Sequence, residues 1–303
     1  MSDSRIGRRG QIKVYTGKCF RTFFNEKGWK TLISTLIIAV ILAWVIGKKT
    51  FVIRESTQYG LFAMICGCLW TGLFNSIQSI CRERAIIKRE HRTGLHISSY
   101  VFAHLIFEFI LCAVEALIMT IVFGIFRGFP AHGVVFPAAC IDFYFGFLFV
   151  IFASDALGIL VSCIVKSENA AMTVMPFVLI VQLVMSGMMF TLPKSAEFVK
   201  EFTVSKWGLT ALCSSADTNS LPSTAALVKK LNNYIGEGGT INASPTELQQ
   251  ALEEYQSGKL GYEPDYEATS GNVLAGWGVL LGYTVLYTAI GILFLKRVDK
   301  DRR

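Results

Sequence analysis

Residues 97–126 read ISSYVFAHLIFEFILCAVEALIMTIVFGIF, an apolar run whose chargeable interruptions near neutral pH are His104, Glu108 and Glu115. As a helix this run is about 45 Å long at 1.5 Å per residue. Water is absent from the hydrocarbon core of a bilayer, so a backbone crosses it only where its hydrogen bonds are satisfied internally. Roughly 20 apolar residues in a helix meet that condition. The stretch therefore predicts a membrane-spanning helix, and the whole chain has the matching composition. Of 303 residues, 52% are hydrophobic and 17% charged, against about 25% charged in soluble domains. The apolar fraction, with only 7 prolines, also excludes collagen-like and disordered chains.

Five further apolar stretches lie at residues 29–47, 57–80, 133–165, 170–190 and 272–295. Together they predict an all-α integral membrane protein with six transmembrane helices. The stretch at 133–165 contains Pro137, so it either tilts or opens on a non-spanning turn. Orientation follows from the Lys and Arg residues of the short flanks. Residues 1–30, 81–96 and 296–303 with Lys166 hold nineteen of them, whereas the opposite short flanks hold Lys48, Lys49, Arg54 and Arg127. Both termini are thus expected in the cytoplasm, in a protein of the plasma membrane. The formal charge of +7 belongs to helix ends and gives no reason to invoke nucleic acid.

Polar and basic residues 1–28 precede the first apolar stretch, and no small-residue cleavage site follows it, which excludes a signal peptide. In this leader Ile12, Tyr15, Cys19, Phe23 and Phe24 share a helical face while Lys13, Lys18 and Arg21 fall elsewhere. That pattern fits an amphipathic helix along the cytoplasmic interface, or a plain positive anchor. Of the eight cysteines, Cys19 and Cys81 are expected in the cytoplasm, and Cys66, Cys68, Cys112, Cys140 and Cys163 in or beside membrane helices. Cys213 is left outside as a free buried thiol or a bridge to a second copy, so no internal disulfide framework is expected. Residues 213–271 are polar and read as an external segment. Within it Ser244-Pro245-Thr246-Glu247 is a capping box opening a helix to about Gln256, and Asn242-Ala243-Ser244 is a formal glycosylation sequon.

No nucleotide-binding or hydrolase motif is present: Gly47-Lys48-Lys49-Thr50 imitates the end of a P-loop but has Leu42 at the first glycine position. His91, His96, His104 and His132 are spaced for no common zinc site. A charge in mid-membrane costs about 2.5–3.5 kcal/mol, so intramembrane polar groups call for an account. His104, Glu108 and Glu115 share one face of the third expected span, and Asp142 and Asp155 lie in the fourth. They form a proton or substrate path, or else His104 and Glu108 satisfy each other while the aspartates sit near interfaces or against packed helices. Asn75 and Gln182 read as interhelical hydrogen bonds first and substrate contacts second.

Between the second and third expected spans lies Ser79-Ile80-Cys81-Arg82-Glu83-Arg84-Ala85-Ile86-Ile87-Lys88-Arg89-Glu90, continuing through His91 and Gly94 to Ser98 and Tyr100. As a helix it sets an apolar patch of Ala85, Ile86 and Ile87 among acids and bases, suited to grip by a partner protein. A self-neutralising solvated loop is the bland alternative. Glu83-Arg84, Arg89-Glu90, Ser98, Tyr100 and Glu108, in that order, resemble the membrane half of the G subfamily of ABC transporters, within the ABC type-2 permeases. Ser186-Gly187, Leu192-Pro193 and Lys206-Trp207-Gly208-Leu209-Thr210-Ala211-Leu212 are similar to that family's re-entrant segment before the last helix.

The resemblance implies an amphipathic connecting helix at 1–28, helices one to five at 29–190 with a coupling helix at 81–96, a re-entrant segment and external loop at 191–271, and a last helix with a basic tail at 272–303. Glu83, Arg84, Ile86, Ile87, Arg89 and Glu90 would couple the chain to a cytoplasmic ABC ATPase subunit that carries ATP and Mg; no cofactor or metal is expected in this chain. Two permease chains, identical or different, would pair in the lipid bilayer. Phe62, Trp70, Asn75, Phe177, Val181 and Gln182 would line a substrate path between them. The chain starts close to its first span, lacks the family's external cysteine cluster, and has Thr173-Val174 and Pro176 where its bulky gate would lie. These departures fit a split system with the ATPase on a separate polypeptide. The reading is thus a non-enzymatic permease subunit of an exporter, against a proton-coupled carrier using His104, Glu108 and Glu115, or a non-transporting sensor using 213–271.

Overall fold

A computed structural model describes residues 7–188, 197–234, 244–258 and 260–296, and among them no strand occurs. Helix α1 (Arg8–Asn25) turns through 71° into α2 (Lys30–Val45). Then come α3 (Arg54–Ser76), the single-turn α4 (Ser79–Arg82) and α5 (Arg84–Arg92), followed by α6 (Ile97–Arg127) and α7 (Ala139–Ile164). After α8 (Glu168–Val184) come α9 (Glu197–Lys200) and α10 (Val204–Ser215), and then α11 (Thr224–Asn233), α12 (Pro245–Gln256) and α13 (Ser270–Leu295). Four helices among the described residues are long and apolar enough to span a membrane: α3 with α4, α6, α7 and α13; the bent pair α1–α2 makes up to five. The sequence reading of six therefore holds for four or five. Helix α8 has 17 residues, about 26 Å at the helical rise, and the end of its expected span at 189–190 lies outside the described residues.

Helix α7 is the centre, packed by α3, α6, α10 and α13. Small residues let α3 approach it closely, as membrane interfaces favour. A Cβ added at Gly72 would lie 2.4 Å from the Ile151 carbonyl oxygen, and one at Gly158 would lie 2.2 Å from Ser76 Oγ. Across the same contact Ser154 Oγ donates to the Leu69 carbonyl and Ser76 Oγ to the Asp155 carbonyl, both at 2.7 Å. The expected start of this span at 133 is corrected to Ala139. Residues before it bend so that the Asp142 carboxylate accepts the N–H groups of Val134, Val135 and Phe136 at 2.7–3.0 Å. Asp142 thus sits in the first turn of α7, where a helix N-terminus favours negative charge.

The end of the bundle opposite α1 is closed by a polar layer. All five N–H groups of Arg54 point at backbone carbonyls: Nε at Thr218 (3.0 Å), one terminal nitrogen at Leu260 (3.0 Å) and Gly261, the other at Asn219 (2.8 Å) and Gly258 (2.7 Å). Glu55 beside it accepts from Ser223 Oγ (2.6 Å) and the Ala225 N–H (2.9 Å), holding the start of α11. The capping box at Ser244 forms and α12 runs from Pro245 to Gln256. The sequon residues Asn242 and Ala243 lie outside the described residues. Cys213 belongs to the interior: it is fully buried in α10 with a free thiol, which removes the expectation of a bridge to a second copy.

The α3–α7 approach yields a test. Gly72→Ala should lower the melting temperature in detergent, overpacking costing about 1–3 kcal/mol. Gly278→Ala, where a Cβ meets nothing within 4 Å, should not lower it.

Candidate functional site: the α5 junction and the buried acid layer

Helix α5 is tied down on three sides by the residues that mark it in the sequence. Arg84 donates from one guanidinium nitrogen to the carbonyls of Cys163 (2.9 Å) and Val165 (3.0 Å), satisfying the end of α7 as a cation near a helix C-terminus does. The Glu83 carboxylate accepts from Lys18 of α1 (2.8 Å) and Tyr100 of α6 (2.7 Å). Glu90 accepts from Tyr15 of α1 at 2.7 Å, and Ser162 Oγ of α7 accepts the N–H groups of Ile80 and Cys81 at 3.0 Å. Ile87 is fully buried with Ile80, Leu95, Tyr100 and Ile159.

The other side of α5 is open: Ala85, Ile86 and Arg89 are exposed, Ile86 to 39%. The six expected coupling residues therefore separate. Glu83, Arg84, Ile87 and Glu90 face the bundle, whereas Ile86 and Arg89 face away. The apolar patch assigned to Ala85, Ile86 and Ile87 is corrected to Ala85 and Ile86. On α1, Ile12, Tyr15, Cys19 and Phe23 of the expected face are half-buried, but Phe24 is 68% exposed. Lys18, placed off that face by the sequence reading, is drawn onto it by Glu83.

The intramembrane polar residues gather on α6 and its neighbours. Glu115 accepts from Asn75 (2.8 and 2.9 Å) and Thr35 (3.2 Å). Glu108 Oε2 and both Asp155 carboxylate oxygens are buried without a hydrogen-bond partner, a condition that costs about 1–3 kcal/mol per group. His104 packs against Tyr100 with ring centres 4.7 Å apart and planes tilted by 54°, and it does not fill the role of partner to Glu108. The ion pairs Lys18–Glu83, Arg82–Glu26, Lys206–Glu201, Lys206–Asp265 and Lys230–Glu254 lie outside this layer. Among the described residues no group of three or more His, Cys, Asp or Glu side chains is arranged to hold a metal ion.

Of the six residues expected to line a substrate path between two chains, Phe62, Trp70 and Asn75 lie on α3 and Phe177, Val181 and Gln182 on α8. Phe62 and Gln182 are buried, and Asn75 is engaged by Glu115. Gln182 Oε1 accepts the Val204 N–H at 2.8 Å and fixes the start of α10. Trp70, Phe177 and Val181 are exposed. Helix α10 itself is buried, and Lys206 sits 3.8 Å over the Trp207 ring. Leu192-Pro193 lies outside the described residues. Sequence reasoning missed Tyr15 and Lys18 as anchors, although their spacing of three places them on adjacent turns of one face. Ser162 carries no local signal at all.

With this geometry established, the comparisons are specific. The family model described as ABC-2 type transporter matches residues 10–215, from the first turn of α1 through the end of α10. An ABC transporter ATP-binding/permease protein of Mycobacterium tuberculosis is 27% identical over 154 residues, covering 50% of this chain and 18% of that protein.

Glu83 supplies a pH test. Burial would raise its carboxyl, but hydrogen bonds from Lys18 and Tyr100 outweigh burial and hold it below the ordinary 4.5. A depressed pKa contributes stability that is present above the ordinary value and lost as pH falls through the lowered one. Wild type should therefore melt above Glu83→Gln at neutral pH, with the gap closing below pH 4.5. A gap independent of pH contradicts this role.

Proposed function

The chain belongs to the ABC-2 type transporter family, and on that premise we propose that it is the permease subunit of an ATP-driven exporter. Residues 1–303 contain no P-loop, and in this reading an ABC ATPase partner holds ATP and Mg. The name of the mycobacterial relative, which joins ATP-binding to permease, supports such a pairing. The observation that carries the reading is the two-sided α5. Its inner side is fastened to α1, α6 and α7 by Glu90, Glu83 and Arg84, and its outer side presents Ala85, Ile86 and Arg89. A push on the outer side by a partner reaches three helices through hydrogen-bonded contacts.

In this reading α2 and α8 complete six crossings, α10 is the re-entrant segment, and both termini lie in the cytoplasm below the plasma membrane. Two chains pair, and Trp70, Phe177 and Val181, the exposed members of the expected path, face the route between them. The buried acids Glu108, Glu115 and Asp155 keep their place inside one chain.

The assignment is tested by solubilising the chain from its native membrane, recovering the ATPase that accompanies it, and measuring ATP turnover. Ile86→Asp and Arg89→Glu should lower turnover by about tenfold, as loss of one interface hot spot does, with insertion and folding retained. Arg84→Glu should instead lower the yield of folded chain, because it removes the clamp on α7. Absence of any ATPase, or full turnover in well-folded Ile86→Asp and Arg89→Glu variants, overturns the proposal.

A further inference from the structure

A cavity of about 330 Å³ opens between α1, the start of α2, the end of α3 with α4, and α6. That volume lies at the lower end of the range for small-molecule sites, about 300 Å³ and upward. Its wall is divided chemically. Phe23, Phe107 and Leu111 supply an apolar side, with Phe23 and Phe107 in edge contact at 5.6 Å. Glu108 supplies the opposite character: it lines the cavity, is only 4% exposed, and its Oε2 accepts no hydrogen bond. The cations of the wall do not answer it. Lys18 is held by Glu83 at 2.8 Å and Arg82 by Glu26 at 2.9 Å. A buried acceptor beside an apolar surface, with neighbouring cations already committed, lacks a donor that carries positive charge.

We propose that this cavity binds the protonated primary amine of an amphiphile, with the ammonium donating to Glu108 and the aliphatic part against Phe107 and Leu111. The amine belongs either to a free alkylamine, whose chain follows the nitrogen directly, or to the ethanolamine headgroup of a phospholipid, where two methylenes separate the nitrogen from the phosphate; both present an ammonium that donates hydrogen bonds. A trimethylammonium group has no N–H and fails to satisfy Glu108. The site is independent of the route between two permease chains and of any ATPase.

The test uses the full chain in phosphatidylcholine nanodiscs and measures retention of radiolabelled dodecylamine, dodecyltrimethylammonium and dodecanol. Dodecylamine should be retained at least tenfold more tightly than the other two, and Glu108→Gln should abolish the preference. Thr22→Trp, which fills the cavity from α1 and leaves α6 and α7 unchanged, should do the same and decides the matter if Glu108→Gln does not elute as a folded species. Displacement of dodecylamine by phosphatidylethanolamine in the disc assigns the headgroup, and retention in its presence assigns the free amine. Equal retention of amine and alcohol, or an unchanged preference in a folded variant, overturns the site.

Discussion

In a medium without water, a backbone carbonyl at the end of a helix has no default partner. Three arginines resolve that constraint here, and much of the architecture depends on where they do so. Arg84 satisfies the end of α7, and Arg127, closing α6, donates to the Ala43 carbonyl at 2.9 and 2.7 Å and to Trp44 at 3.0 Å, the end of α2. Arg54 satisfies five carbonyls of the layer beyond α3. A planar guanidinium with five donors suits this task, since it stays charged and can serve several acceptors at once. Each clamp also sets the distance between two elements, so helix ends are fixed together with neighbours.

Between these clamped ends the interior is held by close approach of helices. Gly72 and Gly158 bring α3 against α7, and serines across the seam bond to backbone carbonyls. Asp155 and Glu108 remain without hydrogen-bond partners for their buried oxygens, while Glu115 is satisfied by Asn75 and Thr35. Unequal treatment of three acids in one layer concentrates polarity on the α6 side. There the cavity beside α1 begins.

The sequence makes some of this legible because the relevant signals are local. An apolar run of thirty residues specifies α6, and Ser244 with Glu247 specifies the start of α12 to the residue. The elements of α5 are also local, since charge and apolar spacing announce a short helix. Which of Ile86 and Ile87 turns inward is decided by helices α6 and α7, far away in the chain, and so cannot be read from adjacent isoleucines. The spacing of Tyr15 and Lys18 is local, but the partner that draws Lys18 in is Glu83, 65 residues on, which that spacing does not name. The 71° turn between α1 and α2 and the burial of Cys213 in α10 depend likewise on what packs against them.

The grip of Arg54 has a consequence of another kind. Its five acceptors are all main-chain oxygens, from Thr218, Asn219, Gly258, Leu260 and Gly261, and every residue type has one. The attachment therefore constrains the path of the backbone and asks little of the side chains it carries, except at Gly258 and Gly261, where positive φ and close neighbours favour glycine. A segment of unrelated sequence could be exchanged onto the same bundle provided that its turns present carbonyls to that guanidinium, leaving the face that looks away from the membrane free to diverge while the transporter beneath it stays unchanged.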